Sequence, residues 1–538
     1  MLNLSAMRRR TVLLLAACTL PLVLWAENVD LSVVHRIKAE AFQNSKVMDY
    51  VFYLTDVHGP RVAGSPAYRA AAEWAVRTAR ELGLENARLE KWGTLGRSWS
   101  FSRFSAHLIQ PVESPLIGFP MAWTQGTDGP ITGEAVLAVI GSEADFAKFK
   151  GQLKGKIVLS DGLRELQPRT TADFRRLTDT ELTERAKAPE PGRQPAVFGF
   201  PRPGAPATPQ VRQMMQAREL RNKAARFFRE EGVLAVVTAG LRGDYGTVFA
   251  TAGGSRELKD PLPLPTIALA SEHYNRLVRL LEKKLPVKLE LDVRVRIEEK
   301  EVEGFNVIAE LPGGRKRDEL VMIGAHLDSW HGGTGATDNA AGCAVMLEVM
   351  RILKTLDLKM DRTVRMALWD GEELGFLGSR AYVKAHFADR DTMALKKDFH
   401  KLSGYFNLDN GSGKIRGVYL QGNDMMRPIF EAWFKPFEDL GVTTVTIANT
   451  GGTDHIPFDA VGLPAFQFIQ DPLDYSTRTH HSNMDVYERV QSSDLMQASA
   501  VIASCVYHAA TRPELLPRKP LPTPQPRRTE ERKPLPTG

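Results

Sequence analysis

The sequence predicts an α/β fold in which strands alternate with helices, interrupted by a β-rich insertion. Three observations carry this prediction. From Phe305 onward, short apolar runs ending beside reactive side chains alternate with stretches of helical periodicity. Between 128 and 296 the rhythm changes to short β-like runs and charged helical stretches. Ahead of both, residues 31–58 and 66–84 carry helical periodicity, and Ala87 to Trp92 reads as a strand.

Taken in order, residues 1–26 hold Arg8, Arg9 and Arg10, then an apolar run from Val12 to Trp25 that ends at Ala26. This is the pattern of a secretory signal peptide, and the run is too short for a spanning helix. A secreted or periplasmic protein with no stable membrane span is therefore expected. Leu15-Ala16-Ala17-Cys18 also resembles the lipoprotein processing box, so a lipid anchor at Cys18 is the competing reading. Residues 27–127 are expected to begin the catalytic unit and 297–511 to complete it, with 128–296 inserted between them. Within the insertion, 164–215 is rich in Pro and Arg and reads as an extended loop. Past Thr511 there are eight prolines in the last 27 residues, interspersed with Arg and Lys, so 512–538 reads as a solvated, disordered tail.

The net charge of +6 is concentrated at the two ends. Three arginines at the head and a tail with seven basic and three acidic residues leave the body slightly acidic, which removes the electrostatic basis for nucleic-acid binding. Beyond residue 26 only Cys343 and Cys505 remain, too few for a disulfide framework. Cys343 falls in a helical apolar pattern and reads as a small buried side chain.

Five metal-liganding side chains lie between residues 326 and 481: His326, Asp338, Glu373, Asp409 and His481. Two histidines and three carboxylates can hold two zinc ions with one carboxylate bridging, and the pair would activate a water at neutral pH. His326 follows the apolar run Leu320-Val-Met-Ile-Gly-Ala, and Asp328, two residues on, can orient its imidazole. Asp338 sits in a Gly-rich turn that opens a helix, in position to bridge. Glu372 and Glu373 are adjacent at a strand end, so one can bind metal while the other takes a proton. Asp409 ends another strand, and His481 follows a polar loop.

The segments Ala-His326-Leu-Asp328, Gly-Ala-Thr-Asp338-Asn339-Ala-Ala-Gly, Glu372-Glu373-Leu-Gly-Phe-Leu-Gly-Ser379, Asp409 and His481-Ser-Asn-Met-Asp485 resemble the di-zinc exopeptidases. That family includes secreted bacterial aminopeptidases, plasma glutamate carboxypeptidase and glutamate carboxypeptidase II. The resemblance covers 30–125 loosely and 303–510 well. It implies a mixed, mostly parallel sheet flanked by helices, and makes the insertion look like a protease-associated domain. It further implies that His326, Asp338 and Asp409 hold one zinc, and Asp338, Glu373 and His481 the other. Glu372 would be the general base, Asp328 a supporting group, and Asp338-Asn339 a cis peptide. His480 is the candidate to face the oxyanion. Thr453 departs from the family's Ser-Asp-His segment, which leaves Asp454 and His455 as pocket groups rather than ligands. His331 borders the first ligand motif or lies in a surface turn.

The expected activity is exopeptidase cleavage of short peptides by a metal-activated water. Aminopeptidase action leads, with dipeptidase or carboxypeptidase action as the alternative. A one-zinc glutaminyl cyclase and a non-catalytic binding protein are the remaining readings.

Overall fold

The computed structural model describes residues 27–188, 209–240 and 242–524. The signal-peptide and Cys18 readings lie outside the described residues, as do residues 525–538 of the tail.

In chain order the strands are β1 (Glu85–Thr94), β2 (Ser98–Gln110), β3 (Ser114–Pro115), β4 (Gly118–Pro120), β5 (Ile131–Leu137), β6 (Ile157–Leu159), β7 (Ala235–Thr238), β8 (Thr266–Leu269) and β9 (Lys288–Glu298). They continue as β10 (Glu303–Leu311), β11 (Lys316–His326), β12 (Arg362–Trp369), β13 (Ala388–Asp389), β14 (Ala394–Leu395), β15 (Leu402–Asn407), β16 (Ile415–Tyr419), β17 (Thr444–Thr446) and β18 (Ala465–Gln470). β13 and β14 form a small separate ribbon, and the others build two sheets of eight strands.

The first sheet runs β1-β10-β12-β11-β15-β18-β16-β17. Its centre, β12-β11-β15-β18, is parallel, while the pairs β1/β10, β10/β12 and β16/β18 are antiparallel. Central parallel strands are covered on both faces and so read as continuous apolar runs. β11 is buried from Leu320 to His326, and β15 throughout. Gly324 is required in β11, because a Cβ there would lie 2.5 Å from Tyr405 Oη and 2.8 Å from the Ala367 carbonyl. The helix Ala341–Thr355 is buried on every side through Leu353 and packs between β11 and the C-terminal helix Ser492–Thr511. The first predicted helical stretch divides into Leu31–Gln43 and Val47–Phe52, broken at Asn44, and the second becomes Pro66–Glu81 with Ser65 as its N-cap.

The second sheet runs β3-β2-β9-β5-β6-β7-β8-β4. It draws on residues 98–298, so Ser98 to Gln110, expected in the catalytic part, instead pair along the length of β9. The reason is local: Trp99, Phe101, Phe104, Ala106 and Leu108 alternate with polar residues on either side of a bulge between Phe101 and Arg103. This sheet has its own core around Ile157, Val237, Ile267, Leu277 and Leu289. A small aromatic cluster of Trp99, Trp123 and Trp330 with Val62 and Leu374 joins it to the first sheet.

The tail is also ordered further than its composition predicts. Leu516 is buried, with its amide donating to Ser403 Oγ at 3.2 Å, and Asn423 Nδ2 donates to the Pro517 carbonyl at 2.8 Å. Lys519 donates to the Gln421 carbonyl at 2.6 Å and pairs with Asp459 at 2.5 Å. Prolines here offer carbonyls and Arg and Lys offer donors, and one leucine supplies the apolar anchor.

His331 lies in neither of its expected places. It is buried in the aromatic seam, 4.9 Å from the Trp99 ring, with Nε2 2.6 Å from the Pro120 carbonyl. Burial pushes its pKa down to about 4, against the opposing pull of that carbonyl. Below the unfolded value of about 6.5, the unfolded chain binds a proton that the folded chain refuses. Stability should therefore fall as pH drops from 6.5 towards 4, by up to ~1.4 kcal/mol per pH unit from this group. Melting curves of the wild type and of His331→Gln between pH 7 and 4 should show a shallower acid slope in the variant, and equal slopes would rule His331 out.

Candidate active site

The five candidate ligands converge at the C-terminal ends of the central parallel strands, where an open α/β sheet places its crevice. His326 is the last residue of β11, Glu372 and Glu373 follow β12, Asp409 follows β15, and His481 lies in the loop after β18. Asp338 occupies the turn into the helix Ala341–Thr355, and the Asp338–Asn339 peptide is cis.

Asp338 faces two ways. Its Oδ1 is 3.1 Å from His326 Nε2, and its Oδ2 is 3.2 Å from His481 Nε2. Asp409 Oδ1 joins the first group at 3.3 Å from His326 Nε2, and Glu373 Oε2 joins the second at 2.9 Å from His481 Nε2. Two clusters thus share one carboxylate. His326, Asp338 and Asp409 are near enough to surround one cation. Asp338 Oδ2 and Glu373 Oε1 are buried and accept no hydrogen bond, which a bound cation would correct. The donor set of two imidazoles and three carboxylates suits zinc.

Electrostatics point the same way. With protons as the only cations, burial pushes His326 and His481 down, yet the carboxylates outweigh it. His326 ends well above its usual range through Asp409 and Glu372, and His481 rises to about 10 through Glu373 and Asp338. Burial would raise Asp338, but the His326 and His481 imidazoles beside it hold it well below the carboxylate range. Burial, with the charge of Asp338, lifts Glu373 to about 7 against the pull of His481. Glu372 is raised by burial and by Asp409, Asp454 and Glu373, against His326.

Asp328 differs from expectation. His326 Nδ1 pairs with the Asp328 main-chain carbonyl at 2.9 Å, while the carboxylate stands off at 3.6 Å, too far for a hydrogen bond. The carboxylate is engaged elsewhere, accepting from Glu372 N at 3.1 Å and Glu373 N at 3.3 Å. One residue therefore orients the imidazole through its backbone and both glutamates through its side chain.

His480 stacks on His481 at 3.7 Å between ring centroids, with Nε2 3.8 Å from Asp338 Oδ2. Burial, the neighbouring His481 and Arg242 push its pKa down to about 4, Asp338 opposing. The Tyr475 ring lies against it at 4.8 Å. Neither Tyr475 nor Arg242 was identifiable as a site residue in the sequence, and no periodicity or motif marks them. Thr453 Oγ1 accepts from Asn407 Nδ2 at 2.9 Å, and Asp454 Oδ1 accepts from Ser379 Oγ at 2.5 Å. Burial first, then the charges of Asp409 and Asp328, push Asp454 up to about 8. Asp454 and His455 back the site without joining the ligand clusters. Cys343 is buried, its Sγ 3.0 Å from the His326 carbonyl, and burial pushes its thiol up to about 12.

The turn carrying Asp338 is braced by Arg61, which is fully buried. Its guanidinium donates to the carbonyls of Leu327 at 2.7 Å, Thr334 at 2.9 Å and Gly335 at 2.9 Å, and to that of Leu54. Gly335 has φ +69°, and a Cβ there would lie 2.4 Å from Ser329 Cβ. Asp485 Oδ1 accepts from Thr337 Oγ1 at 2.8 Å on the other side.

An open α/β sheet with a shared carboxylate between two ligand clusters at its C-terminal edge defines a two-metal hydrolase. Residues 306–506, the segment carrying the site, match Peptidase family M28. Mouse Carboxypeptidase Q is 24% identical over 496 residues, covering 91% of each chain. Aminopeptidase YwaD of Bacillus subtilis is 30% identical over 207 residues, covering 37% of this chain and 43% of that protein. The crystal structure of a Peptidase M28 precursor from Shewanella amazonensis SB2B superposes with a TM-score of 0.62 at 26% identity, covering 91% of this chain and 98% of that one.

Arg61→Ala should leave four carbonyls without their donor, three of them at buried contacts, and open a cavity beside the Asp338 turn. The expected cost is about 3 kcal/mol or more. Urea unfolding should show a markedly lower midpoint, and an unchanged midpoint would contradict this bracing role.

Proposed function

We propose that this chain is a two-zinc exopeptidase that removes a terminal residue from short peptides, exported as the basic-then-apolar residues 8–26 indicate. The observation that carries the proposal is the placement of the two Asp338 oxygens, one toward His326 and one toward His481, with buried acceptors left open between them. In this reading His326, Asp338 and Asp409 hold one zinc, and Asp338, Glu373 and His481 the other. When bound, the pair supplies Lewis acidity and lowers the pKa of a water. Glu372 stands beside Glu373 with its backbone fixed by Asp328, and in this reading its carboxylate is left free of metal. It takes a proton from the attacking water and passes it to the leaving amine. His480 lies beside the shared carboxylate, where a donor can meet the carbonyl oxygen as charge develops.

The aminopeptidase reading has support in the Bacillus subtilis relative. The carboxypeptidase or dipeptidase reading is favoured by a more extensive observation, the correspondence with Carboxypeptidase Q over 91% of both chains.

Glu372→Gln should keep the wild-type zinc content by elemental analysis and lose about 10²- to 10⁴-fold in kcat. Asp338→Asn should lower the affinity for both ions, because it touches both clusters. Full turnover in the first variant would sink the proton-transfer role. A panel of dipeptides with N-acetyl and C-amide versions, assayed with zinc and with chelator, should show loss of cleavage on blocking one end only. The blocked end that abolishes cleavage names the terminus recognised.

A further inference from the structure

The second sheet touches the metal-ligand loop directly. Val248 N donates to Asn483 Oδ1 at 2.7 Å, Asn483 N donates to the Val248 carbonyl at 3.1 Å, and Phe249 pairs with Ser482 as an isolated antiparallel bridge. From the catalytic side Arg478 grips the same loop, donating to the Asp244 carbonyl at 2.9 Å and Thr247 Oγ1 at 2.8 Å and pairing with the Asp244 carboxylate at 2.8 Å. Within this junction the Arg242 guanidinium lies over the Phe249 ring, 4.2 Å from its centroid. Its NH2 group donates to the His480 carbonyl at 2.9 Å and sits 3.2 Å from His480 Nδ1, while NH1 is 3.5 Å from the Ser476 carbonyl.

A guanidinium has only N–H groups to offer and keeps its proton. A ring nitrogen that meets it must therefore be the acceptor, so His480 Nδ1 is bare and the ring hydrogen sits on Nε2. That nitrogen is the one 3.8 Å from Asp338 Oδ2, on the side of the ligand clusters. Two consequences follow from this single contact. Asp338, His480 and His481 are near enough together to surround a cation, but an Nε2 carrying hydrogen has no lone pair to give one. His480 is thereby excluded as a ligand, and His481 is left to fill that place. The same Nε2–H becomes a fixed donor directed at the space beside the shared carboxylate.

We infer that Arg242, in the loop between β7 and β8 of the second sheet, is a positioning residue that holds His480 in its Nε2–H tautomer, so that the insertion supplies part of the active site. The catalytic part of this inference rests on the two-zinc exopeptidase reading. The tautomer itself does not.

The test uses full-length protein labelled with 15N-histidine, with and without zinc, and His480 assigned by its loss in His480→Gln. Long-range 1H–15N correlation spectra should show hydrogen on Nε2 in the wild type in both states. Arg242→Ala should give a mixture of tautomers, lower kcat by about 10- to 100-fold, and leave KM and zinc content unchanged. Arg242→Lys, which retains a cationic donor, should keep the tautomer and recover most of the rate. Arg242→Glu, which offers an acceptor, should move the hydrogen to Nδ1. A wild-type spectrum with hydrogen on Nδ1, or with Nε2 shifted by zinc, overturns the inference. So does full kcat in a variant whose tautomer has changed. If the wild type cleaves no peptide but the spectra behave as described, the exopeptidase reading fails while Arg242's control of His480 stands.

Discussion

Buried negative charge is the constraint on which the rest of this structure depends. Asp328, Asp338, Asp370, Glu372, Asp409 and Asp454 are all buried along one edge of a sheet, with the Glu373 side chain beside them. An isolated buried carboxylate is among the costliest groups a fold can hold. Three devices offset that cost here. Some carboxyls are pushed towards the protonated form, Asp370 and Asp454 by burial and the charges of Asp328 and Asp409. Others are met by backbone amides, as Asp328 is by the glutamate pair. The remainder, gathered around Asp338, face each other and two imidazoles, an arrangement that bound cations would offset. The parallel strands of the sheet centre bring these groups together because their C-terminal ends open onto one crevice.

The second sheet belongs to this arrangement and is more than an appendage. It is joined to the first through an apolar seam of Trp99, Trp123, Trp330 and His331 and through a polar junction at residues 242–249. The seam is apolar and non-directional, and sets distance. The polar junction is directional, and sets which nitrogen of one imidazole carries hydrogen. Arg176 adds a further tie, pairing with Asp471 at 2.9 Å and Asp494 at 2.8 Å, two carboxylates otherwise buried in the catalytic unit.

The sheet centre and the residues that meet at its edge were legible because their signals are local. An apolar run that ends in His326, or a glutamate pair after Arg365-Met-Ala-Leu-Trp, needs only neighbouring residues to be read. The role of the Asp328 carboxylate was not, because the spacing shows that it can reach His326 but not that two amides 44 and 45 residues away compete for it. Arg242 acts on a residue 238 positions distant, and nothing near either one announces the other. Strand β2 alternates plainly, but alternation shows a strand without naming its partner, and its pairing with β9 is visible only in the fold. In the tail, composition is a poor guide to order. Its hydrogen-bonding groups find partners on a surface that the sequence does not display.

The two ends of the described chain meet. Asp30 N donates to His508 Nε2 at 3.0 Å, Glu27 pairs with Arg512 at 3.0 Å, and the helix Leu31–Gln43 packs on Ser492–Thr511. The first helix therefore meets this partner only once residues 492–511 are in place. Such a clasp across the termini makes folding depend on long-range closure rather than on local contacts. All five candidate ligands lie between the halves of the clasp, so the segment that carries them is fastened at both ends by one helix pair.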